Sequence, residues 1–92
     1  MLFQVRMQII IPHDADRAIV QQLSATELAL AQKFQHDGKW LHIWRVVGEW
    51  ANVSIFNVDS IDELHDILTS LPLFPFMELE ITPLCKHPAA VN

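Results

Sequence analysis

The sequence predicts an α+β fold, a β-α-β-β-α-β sandwich in which two helices cover one face of a four-stranded antiparallel sheet. Three observations predict it. Residues 2–11 alternate strictly, two β-rich runs flank a Gly48-Glu49 pair, and a capping box opens at Ser60 ahead of an apolar helical stripe.

In the first segment Phe3, Val5, Met7, Ile9 and Ile11 point one way while Gln4, Arg6 and Gln8 point the other, as in a half-buried strand. Pro12 ends it by removing a ladder donor. Asp14 or Asp16 can cap a helix that runs to about His36, where Gly38 supplies the stop. Lys39–Val47 and Trp50–Val58 then read as a hairpin closed by a two-residue type II′ turn at Gly48-Glu49. Ser60 and Glu63 satisfy each other's orphan amides at the start of a second helix, whose stripe is Ile61, Leu64, Leu68 and Leu71. Leu73-Phe74-Pro75-Phe76 is a stiff apolar connection, and Met77, Leu79 and Ile81 alternate with Glu78, Glu80 and Thr82 in the last strand. Pro83 to Asn92 reads as an extended tail, so residues 1–92 form one domain with 83–92 as its C-terminal extension. With two right-handed crossovers this order is the ferredoxin-like sandwich.

Composition narrows the function. Eleven acidic against six basic residues give a net charge of −5, which leaves no surplus cation to displace counterions from a nucleic acid. The single Cys85 excludes an internal disulfide and any CxxC site. The five histidines lack the spacing that sets two imidazoles on one metal, so no structural zinc or iron site is expected. No apolar run is long enough to span a bilayer and no signal peptide is evident, which predicts a soluble cytoplasmic protein. A mean hydropathy of +0.22 is high for so small a domain, and self-association is the plainest destination for the excess apolar surface.

Some residues break their own pattern. Ile19, Leu23, Leu30 and Phe34 share one stripe of the first helix, and Glu27 falls inside it, roughly 40° from Leu23 and about 60° from Leu30. Such a carboxylate either bends out to water at the stripe edge or sits in an apolar pocket, where its pKa rises toward the range of a general base. The two-residue turn puts Leu41, Ile43, Arg45, Val47, Trp50, Asn52, Ser54 and Phe56 on one sheet face. Arg45, Asn52 and Ser54 are polar where a face under helices should be apolar. They lie beneath Glu27 either as a binding floor or as partners in a buried salt bridge. The other face carries Trp40, His42, Trp44, Val46, Ala51, Val53 and Ile55, is almost wholly apolar, and is the expected dimer interface, sheet against sheet. An odd insertion would swap the faces of one strand. His65 reads as a partly buried histidine at the edge of the second helix's stripe.

Several segments together resemble the muconolactone delta-isomerase family. They are the opening Met-Leu-Phe-Gln-Val-Arg-Met, Glu27 in its helix, Gly38-Lys-Trp-Leu-His-Ile-Trp-Arg45, Gly48-Glu-Trp-Ala-Asn-Val-Ser-Ile-Phe56, Leu64-His65, Leu71-Pro-Leu-Phe-Pro75 and Leu84-Cys-Lys-His-Pro88. Trp50 and Phe76 stand where that family usually has tyrosine, and Asn57 where it usually has aspartate. The resemblance implies sheet-to-sheet dimers (a dimeric α+β barrel) assembled into a homodecameric ring. It also implies a cofactor-free isomerase of catechol degradation, in the β-ketoadipate pathway, that converts muconolactone to 3-oxoadipate enol-lactone. In that reading Glu27 shuttles a proton along one face of the lactone ring and Asn52 and Ser54 donate to the dienolate oxygen. Arg45 grips the acetate carboxylate, and Trp50, His65 and Phe76 complete the substrate-binding set. Chloromuconolactone dehalogenases are similar, and chloride loss from the same dienolate is the alternative outcome. A cofactor-free monooxygenase and a non-catalytic ligand-binding module are more distant alternatives.

Overall fold

A computed structural model describes all 92 residues as β1 (Leu2–Ile9), α1 (Arg17–His36), β2 (Trp40–Arg45), β3 (Ala51–Asn57), α2 (Ile61–Ser70), a 3-10 turn (Phe74–Phe76) and β4 (Met77–Leu84). The strands form one antiparallel sheet in the order β2-β3-β1-β4, the predicted ferredoxin-like topology. No helix is long and apolar enough to cross a membrane.

Local chemistry sets the boundaries. Asp16 caps α1 by accepting from the amides of Ala18 and Ile19. The helix closes in a Schellman arrangement in which Lys39 N–H donates to Phe34 C=O and Gly38 N–H to Gln35 C=O. Gly38 takes the left-handed conformation this requires, with φ 77°. At α2, Ser60 Oγ accepts from Glu63 N–H as the capping box demands, but the Glu63 carboxylate takes the amide of Asp59 rather than that of Ser60. Lys39 bridges to both Asp59 and Glu63, at 3.3 and 3.0 Å, tying the entry of β2 to the entry of α2. The Glu63 contact, with Asp59 behind it, raises the Lys39 pKa, while the Asp59 amide and then Lys39 lower that of Glu63.

Four expectations are corrected. β1 stops at Ile9, because β3 begins at Ala51 and β4 at Met77, and beyond it Ile10 keeps one backbone bond, to Phe76 C=O. The hairpin turn is centred one residue earlier than expected: Glu49 N–H donates to Val46 C=O, and Gly48, at φ 81°, occupies the third position of a type II turn. The resulting four-residue loop keeps the predicted Arg45–Asn52 register. β4 runs through Pro83 and Leu84, so the tail does not begin at 83. Proline is tolerated there because β4 is an edge strand with one unpaired side. Finally, a bulge between Trp40 and His42 pairs Trp40 with Phe56 and turns it from the outer face into the core.

The core gathers Phe3, Val5, Met7, Phe56 and Val58 from the sheet side with Leu64, Ile67, Leu68 and Leu71 from the α2 side, and Trp40 stacks on Phe56 at 4.7 Å. Ile61, expected in the α2 stripe, is exposed, and Ile67 is buried instead. The outer sheet face is divided. Its β2–β3 half is apolar, with Trp44 63% exposed and His42 stacked on it. Its β1–β4 half carries Arg6, Glu78 and Glu80, so the almost wholly apolar face expected of the hairpin covers only part of the sheet.

Candidate active site

The inner face of α1 stands off the sheet and leaves a cavity of about 510 Å³ beside the core. Its α1 wall is set by Val20, Ser24, Glu27, Leu28 and Ala31, whose three- and four-residue spacing puts them on one side of the helix. Its floor and far wall come from Trp40, Ile43, Arg45, Ala51 and Asn52, with Trp50 and Leu73 at other edges. Ser24 and Ala31 are small, and larger side chains on this face of α1 would fill the space.

Glu27 is half-buried, and its Oε1 accepts from the Leu73 amide at 3.0 Å. Burial pushes its pKa above the ordinary 4.5, and the Leu73 hydrogen bond offsets part of that rise. Oε2 has no protein partner. The donor is held firmly, since Leu71 and Leu73 are buried and the segment between α2 and β4 is braced by Phe74 N–H to Leu71 C=O and Phe76 N–H to Leu73 C=O. Oε1 turns to the Leu73 amide, and Glu27 forms no ion pair with Arg45.

Arg45 lines the cavity with its guanidinium 6.0 Å from the centre of the exposed Trp50 ring, a cation–π approach that holds both side chains at one edge. Asn52 is half-buried, and its Oδ1 accepts from Ser54 Oγ at 2.7 Å. That bond fixes the amide, so the two N–H donors of Asn52 remain for a ligand.

The structure therefore brings together Glu27, Arg45, Trp50 and Asn52, and leaves out three of the predicted residues. Ser54 is wholly buried and lies behind Asn52 rather than on the cavity wall. His65 is exposed on α2 and away from the cavity, because the α2 stripe that buries Leu64 and Leu68 turns position 65 to solvent. Phe76 is half-buried in the 3-10 turn, where its carbonyl accepts from Ile10 N–H, and does not line the cavity. No three His, Cys, Asp or Glu side chains converge as a metal site would need. Sequence reasoning missed Trp40 and the Leu73 amide. The Pro72 and Pro75 that stiffen the segment were a signal for the second, and the bulge that delivers the first has no local signature.

The arrangement suits proton transfer: a carboxylate with one oxygen pinned and one free, beside an apolar wall and a fixed amide donor. The family described as muconolactone delta-isomerase matches residues 1–90. Among relatives, muconolactone Delta-isomerase 1 of Acinetobacter lwoffii is 54% identical over 92 residues, covering all of this chain and 96% of that one. Muconolactone Delta-isomerase of Cupriavidus pinatubonensis is 53% identical, covering 100% of both. The crystal structure of a muconolactone isomerase superposes with a TM-score of 0.95 at 48% identity, covering all of this chain and 96% of that one.

Proposed function

The chain belongs to the muconolactone delta-isomerase family, and from that premise we propose that it isomerises muconolactone by moving one proton across the unsaturated lactone ring. The observation that carries the mechanism is the half-buried Glu27, whose raised pKa suits a base that must take a proton and give it back. The ring C–H beside the acetate arm is acidic by vinylogy, since its loss leaves an oxyfuran-like dienolate. The free Oε2 of Glu27 removes that proton and returns it next to the carbonyl, so the step is redox-neutral and the base is regenerated. Asn52 N–H donates to the oxygen on which charge develops, and Ser54 acts by orienting Asn52. Arg45 takes the acetate carboxylate from the cavity edge, far enough from Glu27 to leave the base unpaired.

Glu27→Gln is expected to lower kcat by about 10²–10⁴-fold, the usual worth of general acid–base catalysis, with the fold retained by circular dichroism. A folded variant that turns over muconolactone near the wild-type rate would exclude Glu27 as the base. Chloride release from the chlorinated lactone, assayed beside it, separates isomerisation from dehalogenation. The apolar β2–β3 half of the outer sheet face, with Trp44 largely exposed, supports dimers formed sheet against sheet. Sedimentation of the wild type as a monomer would sink that assembly.

A further inference from the structure

Arg6 passes over the acid placed opposite it. It lies on the outer face of β1, directly across the β1–β4 ladder from Glu80, where cross-strand neighbours of opposite charge normally pair. Its guanidinium turns instead to the hairpin loop. Nη2 donates to Glu49 Oε1 at 2.9 Å, and Nη1 donates to the side-chain oxygen of Gln8, which lies two residues nearer that loop, at 3.2 Å. Both members of the ion pair are partly exposed, so it adds little to stability. Its effect on Glu49 is larger. Glu49 is the acid closest in the chain to Arg45, and the two line one hollow of about 260 Å³ at the hairpin end together with Gly48 and Trp50. Yet Arg45 has no carboxylate partner, because Glu49 is turned to Arg6 and Arg45 keeps only the Trp50 ring at 6.0 Å. An aromatic face orients a guanidinium and leaves its N–H donors open, whereas a carboxylate would occupy them.

We propose that Arg6 is a positioning residue for substrate binding: by holding Glu49 against the outer sheet face it leaves Arg45 free for the acetate carboxylate of the lactone. The inference rests on the reading above in which Arg45 takes the acetate arm. Arg45 is the only cation lining the cavity, so a carboxylate from its own loop would compete with the substrate for it. Without Arg6, the substrate has to displace an exposed Glu49–Arg45 pair before it binds. That raises KM and leaves the proton transfer at Glu27 untouched.

The test is steady-state kinetics of the full chain on muconolactone, with each end of the Arg6–Glu49 pair replaced alone and together. Arg6→Gln is expected to raise KM about 2–5-fold, the strength of one exposed ion pair, with kcat unchanged. Arg6→Lys, which keeps the charge that holds Glu49, should retain the wild-type KM. Glu49→Gln alone should barely alter KM, and in the double variant it should return Arg6→Gln to the wild-type value. If Arg6→Gln does not fold, Arg6→Met, which keeps the length of the side chain, takes its place. In an enzyme that turns over muconolactone, an unchanged KM in Arg6→Gln overturns this inference alone. So does a rise in KM that Glu49→Gln fails to reverse, since Arg6 would then act by its own charge or through the fold. Absence of turnover in the wild type overturns it together with the lactone reading.

Discussion

The two helices lie on the same face of the same sheet and do opposite work. α2 has 10 residues and buries three of them, Leu64, Ile67 and Leu68, while α1 has 20 and buries only Ala31. Length is thus a poor guide to which helix holds the fold together. α2 seals a dry core with Phe3, Val5, Phe56 and Val58. α1 is anchored at its C-terminal end, where Leu30 and Phe34 pack on that core and the Schellman cap ties it to Lys39, and its upstream inner face roofs the cavity. Stability and chemistry are assigned to different helices, so each can be perturbed with little effect on the other.

The sharpest way to break that contrast is a matched pair of truncations. Leu68→Ala in α2 removes a side chain only 2% exposed and is expected to cost about 2–5 kcal/mol in urea unfolding. Leu28→Ala in α1 removes one that is 63% exposed on the cavity wall, and should change stability by about 0.5 kcal/mol or less while raising KM. Equal losses from the two would mean that α1 is packed as tightly as α2 and that the cavity is not standing space.

A smaller effect is expected behind the site. Ser54→Ala leaves Asn52 Oδ1 without its donor and frees the amide to turn, so kcat should fall by about 10-fold, one hydrogen bond's worth. The variant should keep the wild-type acidic limb of the pH–rate profile, since Ser54 does not touch Glu27, and adding Asn52→Ala should cost less than it does alone. Full additivity of the two would place Ser54 in a separate role.

What could be seen in the sequence follows from what period alone can carry. Two-residue alternation located β1 and most of β4, two β-rich runs around Gly48-Glu49 located the hairpin, and the single acid inside an apolar stripe singled out Glu27. Parity across the hairpin put Arg45 and Asn52 on the helix side, because a four-residue loop preserves the same register as a two-residue one. The failures have physical causes as definite. One extra residue after Trp40 inverts a face with no change in composition. Ser54 shares a face with Asn52 but lies deeper, and parity gives direction without depth. The donor to Glu27 is a backbone amide 46 positions away in the chain, which no side-chain pattern encodes. The stripe of α1 also fails at its start, where Ile19 is 54% exposed while Leu30 and Phe34 pack on the core.

The smallest expected effect tests the cavity end through stability instead of rate. Burial raises the Glu27 pKa in the folded chain above the ordinary value of 4.5, which the unfolded chain keeps. Below the unfolded value both states hold the proton, and the carboxyl costs nothing. As pH rises through the folded pKa, the folded state has to carry a charge it disfavours, so this group's contribution is fully present in acid and lost toward neutral pH. Glutamine at 27 never ionises and can still accept from the Leu73 amide. Glu27→Gln should therefore match the wild type in acid and exceed it at neutral pH, read as a small rise in Tm at neutral pH with none in acid. The same group should place the acidic limb of kcat/KM in the wild type above 4.5. A variant less stable than the wild type at neutral pH would mean that the Leu73 hydrogen bond outweighs burial. Glu27 would then be held as a settled carboxylate, and the pocket end of α1 would be contributing to the fold in the way α2 does.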